Sequence, residues 1–487
     1  MPSVVKTWSR VNYLEDSKMK KVFFLLIVLM MLGLFPGVSA VKEAKADVCL
    51  GCHEFSSPGI VELWEDSKHS SEGVECETCH LGKEGDPSTH FHFGTQITAV
   101  PSPEYCKECH AKEAEEFSRS KHAWSTFMGP LKPYYLKARA EGLDPFSQET
   151  ARLLDPEGMA KTALTPLFPD SGILERIGLL DDPNYHHNNV NLGCIQCHGS
   201  FVIADPGGEL QGWPNTGVGR VNPDGSLGSC SSCHTRHGYS VAEARKPETC
   251  GQCHLGPDHP QHEIYEESKH GNMYGASGES WNWDSPSGQW GPADIDAPTC
   301  ATCHMSGFGD VVDTTHEVGE RLYWELQPKK SVPQWKGPEE VDMVAERVPD
   351  PDKAQSGRNK MRLVCFQCHS STWADGYFVE FDKVVEDYNK VWEKTDALLE
   401  QAYTEGLISR DNPLDETPEI MHYLIWHHDG RRWRMGASMM GPDWTHWNGA
   451  VDAIMNKLGA MINDIEMRRK LKAIDDRLKL LDETAGE

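Results

Sequence analysis

Sixteen cysteines in this 487-residue chain fall into eight Cys-x-x-Cys pairs, and a histidine follows every pair at once. The pairs are Cys49/Cys52, Cys76/Cys79, Cys106/Cys109, Cys194/Cys197, Cys230/Cys233, Cys250/Cys253, Cys300/Cys303 and Cys365/Cys368. The histidines are His53, His80, His110, His198, His234, His254, His304 and His369. Two thiols at this spacing add to the two vinyl groups of a haem, and the adjacent imidazole reaches the iron from the proximal side. A zinc ribbon does not require a histidine after every second cysteine, and a disulfide has no use for one. No cysteine is left over, so the pattern specifies eight covalently attached c-type haems, each with its iron.

The motifs occupy residues 48 to 370, roughly one per 40 residues, which leaves little room for sheet. Hydrophobic residues make up only 38% of the chain, a low share that eight buried macrocycles would offset with their apolar faces. Beyond Trp373 there are no cysteines and the periodicity becomes helical: Phe378, Phe381, Val384, Val385, Tyr388, Val391 and Trp392 recur on one face. Residues 416–440 and 451–481 continue in that manner, with Ile454, Leu458, Met461, Ile462 and Ile465 forming one apolar face. The expected fold is mainly α with little regular sheet, a haem-rich region over 41–372 followed by a haem-free, long-helix region over 373–487.

Residues 1–40 read as a secretory leader. Met19-Lys20-Lys21 is basic, Val22 to Leu34 is apolar, Val38-Ser39-Ala40 resembles a cleavage site, and Met19 is an alternative start. No later stretch approaches the roughly 20 apolar residues of a spanning helix. The expected mature protein is periplasmic and does not span the membrane. Its net charge of −27 argues against nucleic acid and anionic membranes, and fits a redox partner with a basic patch.

Beyond the eight motif histidines, fifteen others are candidates for the distal side of the irons. An iron with two imidazoles suits electron transfer, whereas an open axial position admits a substrate. Ser67-Lys68-His69, Ser120-Lys121-His122 and Ser268-Lys269-His270 repeat one tripeptide, which marks each histidine as a distal ligand. His237 follows His234 by three residues, so both point the same way on a helix and His237 is expected to reach a neighbouring haem. His316 follows motif seven by a similar gap, and His90 or His92 would serve after motif two.

Cys230-Ser-Ser-Cys-His-Thr-Arg-His237, Lys246-Pro-Glu-Thr-Cys250-Gly-Gln-Cys-His254, Gly256-Pro-Asp258-His259, Trp281-Asn-Trp283 and Cys300-Ala-Thr-Cys-His304-Met305 together resemble octahaem hydroxylamine oxidoreductases. Motif number and order match from Cys49 to His369. The resemblance implies seven bis-histidine haems and one five-coordinate catalytic haem, the fourth, whose proximal ligand is His198. It implies that Asp258 and His259 form the distal pocket, where a carboxylate and an imidazole would relay protons. His259 could instead be a distal ligand with Asp258 orienting it. Distal ligands drawn from His69, His90, His122, His237, His270, His316 and His427 leave the fourth haem open, with His92 and His428 as close alternatives.

The resemblance also implies trimers built through the C-terminal helices. Where the oxidative enzymes carry a haem-crosslinking tyrosine, this chain has Trp444, and no tyrosine follows Tyr423. Lack of the cross-link favours the reductive type, turning nitrite or hydroxylamine into ammonium with electrons from a partner cytochrome or a quinol-linked membrane cytochrome. Arg431, Arg432 and Arg434 are either guides for nitrite or partners of propionates and neighbouring acids. Two other readings remain: oxidation of hydroxylamine or hydrazine, and a non-catalytic conduit with eight bis-histidine haems.

Overall fold

The computed structural model describes residues 46–129, 131–154, 193–205, 207–257, 259–321, 351–411 and 414–486. The leader sequence and Asp258 lie outside the described residues. The chain divides into two units, Met1–Phe55 and Ser56–Glu487. In the first, the helix Ala46–Ser56 carries Cys49, Cys52 and His53. Helical spacing places all three on one face, as attachment to a single macrocycle requires.

The second unit repeats that device in short pieces. Cys76–His80, Cys194–His198 and Cys300–His304 are each a single helical turn. The eighth motif instead closes the longer helix Pro351–Cys365. The Cys300 turn is started by a capping box, in which the side chains of Thr299 and Thr302 each accept the other's backbone N–H. Sheet is confined to two antiparallel hairpins, Thr89–His92 with Thr95–Thr98 and Ile203–Ala204 with Leu210–Gln211. Around the motifs lie two aromatic cores. One gathers Phe127, Leu131, Tyr134, Tyr135, Phe201 and Val221. The other gathers Trp281, Trp283, Trp290, Phe308 and Val364.

Helix Ser371–Thr404 starts at the N-cap Ser370, whose hydroxyl accepts from the Trp373 amide, and buries Phe378, Phe381, Val385, Tyr388 and Trp392. The remaining elements are Thr417–Leu424, a π-helical turn Ile425–Asp429, Gly430–Met439, Pro442–Thr445, a second π-helical stretch His446–Leu458, and Gly459–Ala485. Tyr388, Trp392, Ile425, Trp433 and Ala453 form one core here, and Leu399, Ala402, Ile408, Met461 and Ile465 another.

The apolar face expected over residues 454–465 is only partly buried. Met461 and Ile465 are inside, whereas Ile454 and Ile462 are exposed. The expectation rests on 3.6 residues per turn throughout, and the wider π-helical turns change the phase. Beyond Lys472, whose ammonium donates to the Glu405 carbonyl, the last helix is exposed at every residue to 486. Met467, Leu471, Ile474, Leu478 and Leu481 remain 55–57% exposed along it. No helix among the described residues is long and apolar enough to cross a membrane.

Candidate metal centres

Each of the sixteen motif cysteines is at least partly exposed. Five of the eight motif histidines stand opposite another histidine at a nearly constant spacing. Ring centroids are 6.2 Å apart for His80 and His237, and also for His110 and His69. The spacing is 6.0 Å for His254 and His122, 6.5 Å for His234 and His316, and 6.1 Å for His369 and His270. Two imidazoles on opposite faces of one metal, each bonded at about 2 Å with its centroid about 1.1 Å behind the ligating nitrogen, would stand about 6 Å apart. The five pairs therefore fit an iron between them.

Local chemistry explains how the histidines are aimed. In each Ser-Lys-His segment the serine is buried and its hydroxyl caps the next turn of backbone. Ser67 accepts from Ser70 N (3.1 Å), Ser268 from Gly271 N (3.0 Å) and Ser120 from His122 N (3.1 Å). The tripeptide is thus a helix or turn start that projects the histidine from a fixed backbone. His316 is held instead by Glu116, whose carboxylate accepts its backbone N–H at 2.9 Å. On the motif side, His80 Nδ1 lies 2.8 Å from the Thr98 carbonyl and His198 Nδ1 lies 3.0 Å from that of Ser125. A bond at Nδ1 fixes the tautomer and leaves Nε2 for a metal. Trp373 stacks on the His369 ring at 4.1 Å.

Burial favours neutral imidazoles, the form that ligates metal. His122 is pushed down to about 4 by burial, with His254 and His198 adding to the effect. Burial next to Arg321 and His254 does the same to His304.

Motif cysteines also touch across motifs. Cys106 adjoins Cys230, Cys250 adjoins Cys300, and Cys253 adjoins Cys197. Cys79 is close enough to Cys106 and Cys109 to feel their charge, Cys233 to feel Cys250, and Cys303 to feel Cys365. These neighbours join motifs two, three, five, six, seven and eight in one line, with motif four branching from motif six.

His259 lies beside that branch. Its Nε2 is 2.9 Å from the Cys253 carbonyl, and its ring centroid is 6.2 Å from that of His254. An Nε2 that donates to a carbonyl does not also ligate a metal, so His122 is the better partner for His254. The loop before His259 is fixed from the C-terminal region, since Arg432 Nε donates to the Pro257 carbonyl. Arg432 also pairs with Asp429 (3.3 Å) and Asp452 (3.9 Å). Burial raises the Asp429 carboxyl to about 6. Arg434 is buried against Tyr388 (3.9 Å), and Arg431 lies over Trp426 (5.9 Å). Arg432 thus pairs with neighbouring acids, while Arg431 and Arg434 lie over aromatic rings.

The other candidates occupy distinct places. His90 Nδ1 is 3.0 Å from the Ser88 carbonyl, and His92 lies against Phe93. His427 sits in the π-helical turn between Tyr423 (4.9 Å), Trp426 and His428. Trp444 is half-buried, and its backbone N–H is held by Glu267 (3.4 Å). Two residues escape a reading of the sequence. Tyr239 packs edge-on against His69 at 5.3 Å with a positive φ of 47°. His422 is packed against Trp392 at 4.3 Å, with Asp396 3.4 Å away. No local signal in the sequence marks either.

Residues 225–413 match a family model described as seven times multi-haem cytochrome CxxCH, and residues 36–81 match one for cytochrome c554 and c-prime. A probable nitrite reductase-hydroxylamine oxidoreductase fusion protein of Kuenenia stuttgartiensis is 27% identical over 385 residues, covering 75% of this chain. The chain spans only 38% of that relative's length. Among solved structures, a hypothetical multiheme protein superposes with a TM-score of 0.65 at 25% identity, covering 93% of this chain and 99% of the other. A chain of the reducing HAO-like protein complex of Kuenenia stuttgartiensis gives 0.59 at 20% identity, covering 91% and 90%.

Proposed function

We propose that this chain is a multihaem cytochrome c, a periplasmic octahaem reductase converting nitrite or hydroxylamine to ammonium. When bound, the haems would supply electron storage and, at motif four, a place for a small nitrogen compound to react. His69, His90, His122, His237, His270, His316 and His427 would hold the distal side of the other seven. The observation that carries the reading is the pairing at motif six: His122 stands 6.0 Å from His254, while His259 is bound through Nε2 to the Cys253 carbonyl. His259 is then a pocket residue beside motif four, where Cys253 meets Cys197. There His259 would hold and pass the protons that reduction consumes, a role that the resemblance shares with Asp258. The line of adjoining motif cysteines supports electron delivery along the chain toward motif four. The names of the Kuenenia relatives agree with nitrogen-compound redox chemistry.

The acidic surface favours a partner cytochrome, soluble or quinol-linked, that presents a basic patch. A second partner is another copy of this chain. Met467, Leu471, Ile474, Leu478 and Leu481 alternate four and three residues apart, the pattern of a coiled-coil seam. Leu471 and Leu478 take the a positions, and Ile474 and Leu481 the d positions. The flanking g residues are Lys470 and Arg477, and the e residues are Asp475 and Asp482. In a parallel assembly Lys470 meets Asp475 and Arg477 meets Asp482, whereas an antiparallel one would oppose like charges. Leucine at a with isoleucine at d favours more than two strands, in keeping with a homotrimer.

The test is reductant-driven ammonium release from nitrite and from hydroxylamine by fully haem-loaded protein. Turnover of either supports the assignment. Full haem content with no turnover of either refutes it, and faster turnover with an oxidised acceptor cytochrome would reverse the direction.

A further inference from the structure

We propose that Gly129 and Ser125 form a proximal clamp on His198, a pair of positioning residues that sets the orientation of the motif-four imidazole. The inference rests on the reading that motif four carries the reactive iron. Helix Ser125–Met128 ends at Gly129 directly against the His198 ring. A Cβ at Gly129 would lie 2.5 Å from Nδ1 and 2.7 Å from Cγ of that ring, so no other residue fits without displacing it. Among the described glycines, only Gly129 would press an added Cβ to within 3 Å of a motif histidine ring.

The same short helix binds the motif through three more contacts. The Ser125 carbonyl lies 3.0 Å from His198 Nδ1. The Ser125 hydroxyl donates to the His198 carbonyl (2.8 Å), and the Thr126 hydroxyl donates to that of Gly199 (2.8 Å). Behind it, Val218 N donates to the Cys197 carbonyl at 3.0 Å. A Cβ on Gly199 would lie 2.6 Å from Arg220 N, and one on Gly219 would strike the Ser125 hydroxyl. The proximal side of motif four is therefore walled by backbone that leaves no space for a methyl group.

Such a wall has two consequences. The imidazole is kept as an Nδ1 donor to a carbonyl, which raises its basicity as a ligand. It also cannot rotate or retreat when the occupancy of the opposite axial position changes. A bis-histidine iron has protein ligands on both faces, whereas an iron with one protein ligand would have its axial bonding set by that histidine together with the thioether-anchored macrocycle. The clamp replaces the missing second constraint.

The experiment compares haem-loaded wild type, Gly129→Ala and Ser125→Ala by resonance Raman spectroscopy of the ferrous high-spin haem. Gly129→Ala is expected to shift the iron–histidine stretch to lower frequency and to reduce turnover about tenfold to a hundredfold, as loss of a ligand-orienting contact does. Ser125→Ala adds no volume, retains the backbone carbonyl and should give a smaller shift in the same direction. A purely structural role would lower the melting temperature and leave the line in place. If Gly129→Ala does not fold, Ser125→Ala decides alone, and an unmoved line in a folded variant overturns the clamp. If wild type shows no high-spin haem, the functional reading fails. The clamp is then judged by the low-spin g values of the same variants, where displacement of one set supports it and no displacement overturns it.

Discussion

Ile474→Asp tests the self-association surface at its centre. Full burial of a leucine, isoleucine or methionine side chain contributes about 1.5–3 kcal/mol. Each of the five stripe residues is still 55–57% exposed in the single chain. Assembly would therefore recover about 0.8–1.7 kcal/mol per residue, or about 4–8 kcal/mol per chain. Ile474→Asp removes one of these contributions and places one carboxylate per chain in the same layer, where desolvation costs several kcal/mol per ion. The loss is comparable with the whole apolar gain, so the variant should be monomeric. Light scattering coupled to size-exclusion chromatography measures this directly. Asp476→Lys, on the outer face of the same turn, is the control and should keep the wild-type mass. The haem spectrum should be unchanged in both, because residues 471–486 are exposed and touch no motif. An oligomer that survives Ile474→Asp, or a wild-type monomer, would refute the seam.

Three further outcomes are expected from the site and its frame. His122→Ala should convert one low-spin haem to high spin without loss of covalent haem, and an unchanged low-spin count by electron paramagnetic resonance would remove His122 from the ligand set. His259→Ala should lower turnover by about 10²–10⁴, the usual contribution of a proton-transferring group, and leave every haem's spin state as it was. A new high-spin haem in that variant would instead make His259 a ligand. Arg321 is 1% exposed and donates to the carbonyls of Thr302, Cys303, Ser306 and Asp313. Lysine lacks that fork, so Arg321→Lys should cost about 3 kcal/mol or more in a denaturant titration, and a loss below about 1 kcal/mol would show that the fork is dispensable.

The attachment chemistry is legible in the sequence because it is local. Two cysteines and a histidine must sit on one turn, so sequence spacing carries the geometry. The Ser-Lys-His segments are legible for a related reason: the serine cap and the histidine it aims are neighbours. Which histidine faces which motif is another matter. His237 meets His80, and His122 meets His254, only because distant turns and short helices come together, and nothing in the local sequence encodes those meetings. The glycines around His198 read as ordinary loop residues until a Cβ is placed on them. Helical periodicity correctly announces the buried face of Ser371–Thr404. It cannot separate the buried Met461 and Ile465 from the exposed Leu471 and Ile474, because the same four-three spacing serves a core and a seam. The π-helical turns shift that face by an amount that a 3.6-residue template does not contain.

The most direct measurement of the central claim is a quantitative spin-state count of the oxidised protein by electron paramagnetic resonance, normalised to covalent haem. Seven low-spin bis-histidine haems and one high-spin haem, the latter altered by adding nitrite or hydroxylamine, are the predicted result. Eight low-spin haems, indifferent to both compounds, would contradict the account and leave a conductor of electrons with no place for a substrate.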